Sequence, residues 1–209
     1  MRAEPMEITN HHVYDFNETL IASGLPMQDE YNANAFDLAA YGLATTEDLS
    51  ETRPFQRMCK LVKNQLSSGH CNAFTGILVS MNITATIKWW HQAERYHHFQ
   101  IVSSQSAMHM LKKMLEKETL RVHPSTQDFV VRELYEMAED DDGSFEELAY
   151  SAPLGIELTA RVATNYLQLM TMYKQRHNHK LQEWRDFCNM IKRLPYMEKF
   201  IKVMEGVEK

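Results

Sequence analysis

This sequence predicts a helix-rich α+β fold in one domain with few strands, on three observations. Apolar residues recur at helical spacing over Phe55, Met58, Leu61, Val62 and Leu66. A short apolar run, Phe74 to Met81, stands between turn-forming residues, and the last third of the chain reads as helix almost throughout. A period near 3.6 marks an amphipathic helix, whereas a brief apolar run between breakers marks a buried strand.

In chain order, Ala22 to Thr46 carries no sustained period and reads as a long surface loop. Pro54 stands at a first helical position, where its missing N–H does no harm, and that helix runs on to the Ser67-Ser68-Gly69 break. The strand Phe74 to Met81 follows with Ile77 and Val79 on one face, then a helix from Thr84 to Gln92. From Gln127 onward Phe129, Val130, Leu134 and Met137 mark another helix, which ends at the acidic loop Glu139 to Asp142 with Gly143 behind it. Asn165 to Lys180 and Leu181 to Leu194 are helical, the second carrying Trp184, Phe187, Cys188 and Ile191, and Pro195 opens the last helix. No repeat recurs along the chain, so a solenoid or propeller is not indicated.

The 209 residues are 44% hydrophobic and 24% charged, ordinary globular usage with enough chain for a sizeable core. A net charge of -6 and a pI near 5.9 argue against general nucleic-acid binding, which needs a basic surplus to neutralise phosphates. The three cysteines, Cys59, Cys71 and Cys188, include no close pair, so neither a disulfide framework nor a tetrahedral zinc cage is suggested and a reducing cytoplasm is expected. Arg2 is followed by Glu4, Glu7, His11 and Asp15 without an apolar run, so no secretory signal is readable. No stretch approaches the roughly 18 apolar residues that span a bilayer, and no membrane partner is expected.

Reactive side chains crowd into two places. The first is Lys88-Trp89-Trp90-His91-Gln92-Ala93-Glu94-Arg95-Tyr96-His97-His98, followed by Ser103-Ser104-Gln105-Ser106-Ala107-Met108-His109. Charge, forked donors and amide hydrogen bonds suit a phosphate and a pyrimidine edge, though a solvated helix face with a polar loop has the same composition. The second is Arg176-His177-Asn178-His179-Lys180-Leu181-Gln182-Glu183-Trp184-Arg185, basic in an acidic chain. It suits an anion, and equally a helix C-terminus whose basic groups complement the macrodipole.

Together these segments resemble the two signature regions of the flavin-dependent thymidylate synthases. That family carries Gln-x-x-Arg-His-Arg on a helix, then a loop ending Glu-Gln-Ser-x-Arg-Tyr; Gln92-Ala93-Glu94-Arg95 and Gln105-Ser106 correspond. Gly69-His70-Cys71-Asn72-Ala73-Phe74-Thr75 resembles the family's Glu-His motif leading into a buried strand. Thr164-Asn165-Tyr166-Leu167 resembles its Asn-Ala-Arg helix, and Glu183-Trp184-Arg185 its Glu-Ile-Arg. The likeness runs in order from about Cys59 to Pro195 and suggests a divergent phage or bacterial branch.

The resemblance implies a small, mostly antiparallel sheet packed against helices, and a cytoplasmic homotetramer whose active sites are shared between subunits. It implies FAD as cofactor, NADPH and methylenetetrahydrofolate as co-substrates, and a dUMP-like nucleotide as substrate, with no protein nucleophile. Arg95 and Arg185 would hold phosphate. Gln92, Ser104, Gln105, Ser106 and Arg176 would join Arg185 around the nucleotide, and His70, His97, His98 and Asn165 would join Arg95 at the flavin.

The departures are specific. Arg-His-Arg has become Arg95-Tyr96-His97, the closing Arg-Tyr pair has become Met108-His109, and the Asn-Ala-Arg arginine is Leu167. Each lost guanidinium removes charge-assisted contacts of about 1.5 to 3 kcal/mol. Two other functions therefore stand beside methylation: a related hydroxymethylating enzyme on a pyrimidine nucleotide, and a non-catalytic protein that sequesters or senses a nucleotide. A metal hydrolase is disfavoured, because His11-His12 and His97-His98 are adjacent pairs that diverge by about 100° on a helix. Trp89 and Trp90, like Met108, Met110 and Met114, read as packing residues.

Overall fold

Val79, Met81, Ile83 and Ala85 are buried at every second position, as a pleated strand with one face in a core requires. The structure, a computed structural model, describes residues 6–140 and 144–208. Arg2 and Glu4, with Asp141, Asp142 and Gly143 of the acidic run, lie outside the described residues.

The described elements are, in order, β1 (Glu7–Tyr14), α1 (Phe16–Ala22), α2 (Ala33–Ala44), α3 (Arg53–Val62), β2 (Leu78–Thr86), α4 (Ile87–Ala93), β3 (Gln100–Ser104), α5 (Ala107–Glu116), α6 (Asp128–Glu139), α7 (Phe145–Ser151), β4 (Glu157–Asn165), α8 (Tyr166–Arg176), α9 (Gln182–Ile191) and α10 (Met197–Met204). The strands form one sheet in the order β1-β2-β4-β3. β3 runs antiparallel to β4, Gln100 facing Ala163 and Ser104 facing Ala160, with a bulge between Ile101 and Ser103. This is the helix-rich α+β class that the sequence predicts. No helix among the described residues is long and apolar enough to cross a membrane.

Two compact units make up the chain: Met1–His11, Met81–Ala163 and Lys180–Phe187 form the first, and His12–Ser80, Thr164–His179 and Cys188–Lys209 the second. In the first, Leu111 and Leu115 of α5, Leu134 and Ala138 of α6 and Leu148 of α7 pack with Leu120, Val122 and Ile156. Burying each leucine contributes about 1.5 to 3 kcal/mol. A second, aromatic cluster of this unit gathers on α4, where Trp89 meets Trp90, Trp184 and Phe187 at ring separations of 5.0, 4.9 and 5.4 Å. Both tryptophans of the Trp89-Trp90 pair are buried, in keeping with packing. Met108 is not a packing residue: it is 56% exposed, because one turn before Leu111 the core face of α5 opens into a surface groove.

The second unit is built on rings. Phe55 stacks on Phe200 at 4.9 Å, Phe74 meets Phe200 edge-on at 5.1 Å, and the Tyr166 hydroxyl donates to the Pro195 carbonyl at 2.7 Å.

Several boundaries differ from those expected. The helix expected from Thr84 begins at Ile87, because β2 continues through Thr86, whose side chain caps α4, and the helix expected to reach the Ser67-Ser68-Gly69 break ends at Val62. Ala22 to Thr46 is not a loop throughout, since α2 occupies Ala33–Ala44, opened by Asn32, whose side chain accepts from Ala35 N at 3.0 Å. Its alanines favour helix on their own, yet only Ala40 and Leu43 are buried, so no apolar stripe announces it. The strand expected from Phe74 begins at Leu78, because Gly69–Thr75 winds into a 3-10 turn. The last helix starts at Met197 rather than Pro195, because Tyr196 sits in the left-handed region at φ 55°. That conformation is held by its hydroxyl, which accepts from Leu49 N at 2.9 Å, and by its ring against Phe55 at 5.0 Å.

Strands β1, β3 and β4 have no counterpart in the sequence reading. β3 is an edge with four exposed positions, and β4 buries Glu157, Ala160 and Thr164, so hydrophobic alternation is weak in both.

Candidate functional site in the first unit

The conspicuous polar segments sit where two elements end. Thr86 opens α4 by accepting from Trp89 N at 3.1 Å, and the helix stops at Ala93, which leaves Arg95, His97 and His98 exposed on the turn leading to β3. The two imidazoles lie edge to face, centroids 4.6 Å apart. One turn back, half-buried Gln92 accepts from the indole N–H of Trp184 at 2.8 Å. This contact brings the Gln92-to-Arg95 segment against the start of α9, which carries Arg185.

Arg185 is turned along its own helix. Its guanidinium donates to the Lys180 carbonyl at 3.1 Å and to Gln182 Oε1. Neighbouring Glu183 is buried and holds Thr86, accepting from its N–H at 2.9 Å and its hydroxyl at 2.8 Å. The carboxylate thereby ties α9 to the first turn of α4, a structural role that its place in a sequence motif does not disclose.

β3 delivers the second segment. Ser104 is exposed opposite Ala160. Gln105 pairs with Thr159 twice: its backbone N–H donates to the Thr159 carbonyl at 2.9 Å, and its side-chain oxygen accepts from Thr159 N at 2.8 Å. Gln105 is otherwise exposed. Ser106 caps α5, accepting from His109 N at 3.2 Å. Thr159 is not legible as a site residue in the sequence, because a backbone partner leaves no side-chain signature.

Beside Ser106 lies a cavity of about 430 Å³ between α5 and α7. Met108, Leu111, Phe145 and Tyr150 line it, with Glu146 as the charged member. This groove carries no guanidinium, so it suits an apolar or aromatic body better than a phosphate.

The other expected residues belong to the second unit. His70 is exposed on the 3-10 turn Gly69–Thr75. Asn165 is buried and caps α8, its side-chain oxygen accepting from Gln168 N at 2.9 Å. Arg176 is half-buried in the last turn of α8. Among the described residues no group of three or more His, Cys, Asp or Glu is arranged to hold a metal ion.

A flavin dinucleotide offers a diphosphate and a flat aromatic body. The exposed Arg95 guanidinium would meet a diphosphate with charge and the His97 and His98 rings with N–H donors, and the apolar lining beside Ser106 suits a ring better than a second phosphate.

No family model and no curated protein matches the chain. Solved structures do. The chain is similar to thymidylate synthase X of Helicobacter pylori with FAD and dUMP, at 12% identity and a TM-score of 0.68, over 94% of this chain and 96% of that one. A second structure, the flavin-dependent thymidylate synthase of the same organism complexed with FAD and dUMP, matches at 13% identity and a TM-score of 0.63, over 99% and 100%. The shared property at such identity is the fold.

Proposed function

We propose that this chain is a flavin-dependent one-carbon transferase of the thymidylate synthase type, methylating dUMP at C5 with methylenetetrahydrofolate as carbon donor and FAD, reduced by NADPH, as hydride source. The observation that supports it is the likeness in fold over 94% of this chain and 96% of a thymidylate synthase with FAD and dUMP. The sequence adds Gln92, Arg95, Gln105 and Ser106 in the order that the family's signature has them.

In this reading Arg95, His97 and His98 hold the flavin diphosphate, while the amide groups of Gln92 and Gln105 and the hydroxyl of Ser106 recognise the pyrimidine edge. Bound and reduced, FAD supplies the hydride; the chain's residues bind, orient and exclude water. No protein thiol takes part, since Cys59, Cys71 and Cys188 are all buried. The substrate phosphate then relies on Arg185 and on cations of neighbouring subunits in a homotetramer.

A specific observation favours a second reading, a nucleotide sensor without catalysis: the groove beside Ser106 has Met108 in its lining, where the family carries arginine. Mass spectrometry of dUMP incubated with the protein, methylenetetrahydrofolate, FAD and NADPH separates the two. A product heavier by one methylene supports the transferase, one carrying a hydroxymethyl group assigns the related hydroxymethylating reaction, and unchanged dUMP leaves the sensor.

A further inference from the structure

A cavity of about 440 Å³ opens at the end of α4 opposite Gln92 and Arg95, with Lys88, His123, Ser125, Thr126 and Lys180 in its walls. α4 is about 10 Å long, so the length of the helix separates this cavity from Arg95.

Hydrogen bonds fix the walls. Lys88 N donates to Leu154 O at 3.0 Å, His123 N to Gly155 O at 2.8 Å, and Thr126 N to His123 O at 2.9 Å. The third wall is the segment held by Arg185 through the Lys180 carbonyl and Gln182, whose own NH2 donates to Asp186 at 2.8 Å. A Cβ at Gly155 would run into the Thr126 hydroxyl, so a side chain there would force Thr126 into another rotamer. A cavity built this way is preformed, and a ligand need not order it.

Its chemistry is that of an anion site. Lys88 and Lys180 are exposed ammonium groups from different segments. Ser125 N donates to His123 Nδ1 at 3.2 Å, which leaves Nε2 as the ring nitrogen open to a ligand. The acid in the lining, Glu183, has both oxygens engaged by Thr86. Ammonium point charges with hydroxyls and no guanidinium fork suit a tetrahedral phosphate better than a planar carboxylate. The volume exceeds what phosphate alone would fill, and Leu154 and Leu181 offer apolar surface to an organic body.

We propose that this cavity binds a small phosphate monoester, its phosphate held by Lys88 and Lys180 and its organic part lying against Leu154 and Leu181. The cavity lies a helix length from Arg95 and shares with the transferase reading only Arg185, which holds its third wall through Lys180 and Gln182; substitutions at the two lysines leave Arg185 in place and so test the cavity by itself.

Calorimetric titration with ribose 5-phosphate at low salt, with inorganic phosphate as competitor, tests it on the wild type, Lys88→Gln, Lys180→Gln, the double variant and Arg95→Gln. The expected result is saturable binding, weakened about 10-fold by each lysine substitution, lost in the double variant and unchanged in Arg95→Gln. Both lysines are exposed, so circular dichroism should show all variants folded. Absence of saturable binding in the wild type, undiminished binding in the double variant, or loss confined to Arg95→Gln would each overturn the proposal.

Discussion

The indole N–H of Trp184 donates to the side-chain oxygen of Gln92 across 2.8 Å, joining the two segments that carry the sequence resemblance. Trp184 is fully buried, so removing its acceptor strands a donor away from water. Gln92→Leu is expected to destabilise the fold by about 1 to 3 kcal/mol in urea denaturation, whereas Gln92→Glu, which keeps an acceptor, loses less. Equal stability of all three proteins would show that the bond contributes nothing.

Trp89 supplies the contrast. Its buried indole nitrogen has no hydrogen-bond partner among the described residues. Trp89→Phe removes that stranded donor while losing packing volume, two effects of about 1 to 3 kcal/mol with opposite sign. Denaturation should therefore show Trp89→Phe within about 1 kcal/mol of wild type and Trp184→Phe clearly less stable; the reverse order would refute the assignment.

Glu157 gives the fold a pH dependence. Burial holds its carboxyl above the ordinary value of 4.5, against the Arg121 guanidinium, which draws it down from 3.1 Å away. The native state thus keeps the proton to higher pH than the unfolded chain does. The resulting stabilisation is fully present below the ordinary value and is lost as pH rises through the raised native one. The stability of Glu157→Gln relative to wild type should rise over that window, measured by denaturation between about pH 4 and pH 7. A difference that falls with rising pH would mean a depressed carboxyl instead.

Cys59, Cys71 and Cys188 are at most 3% exposed, and burial raises all three thiols, Cys188 to about 12. Ellman's reagent should find no fast-reacting thiol in the native protein and three after unfolding. One rapid native thiol would reopen covalent catalysis by cysteine.

What the sequence discloses follows the strength of each physical signal. The helix at Phe55 and the helices of the last third carry apolar stripes and were readable. α2 is not legible, because only Ala40 and Leu43 of it are buried, too few to mark an apolar stripe. β4 was hidden because it buries Glu157 and Thr164, which look solvent-facing until Arg121 and the sheet are in view. In the candidate site, the residue types at Gln92, Gln105, Ser106 and Arg185 were visible, but their engagement with Trp184, Thr159, His109 N and Lys180 O depends on tertiary pairing. The Lys88 and Lys180 cavity was equally illegible, since its walls meet from segments almost 100 residues apart.

The central claim is that this fold still takes a flavin, and titration of the purified protein with FAD, followed by visible absorbance and flavin fluorescence, tests it most directly. A saturable shift of the flavin bands, weakened by Arg95→Gln, is the expected result. A protein that stays colourless and leaves the FAD spectrum unchanged at every concentration would contradict it.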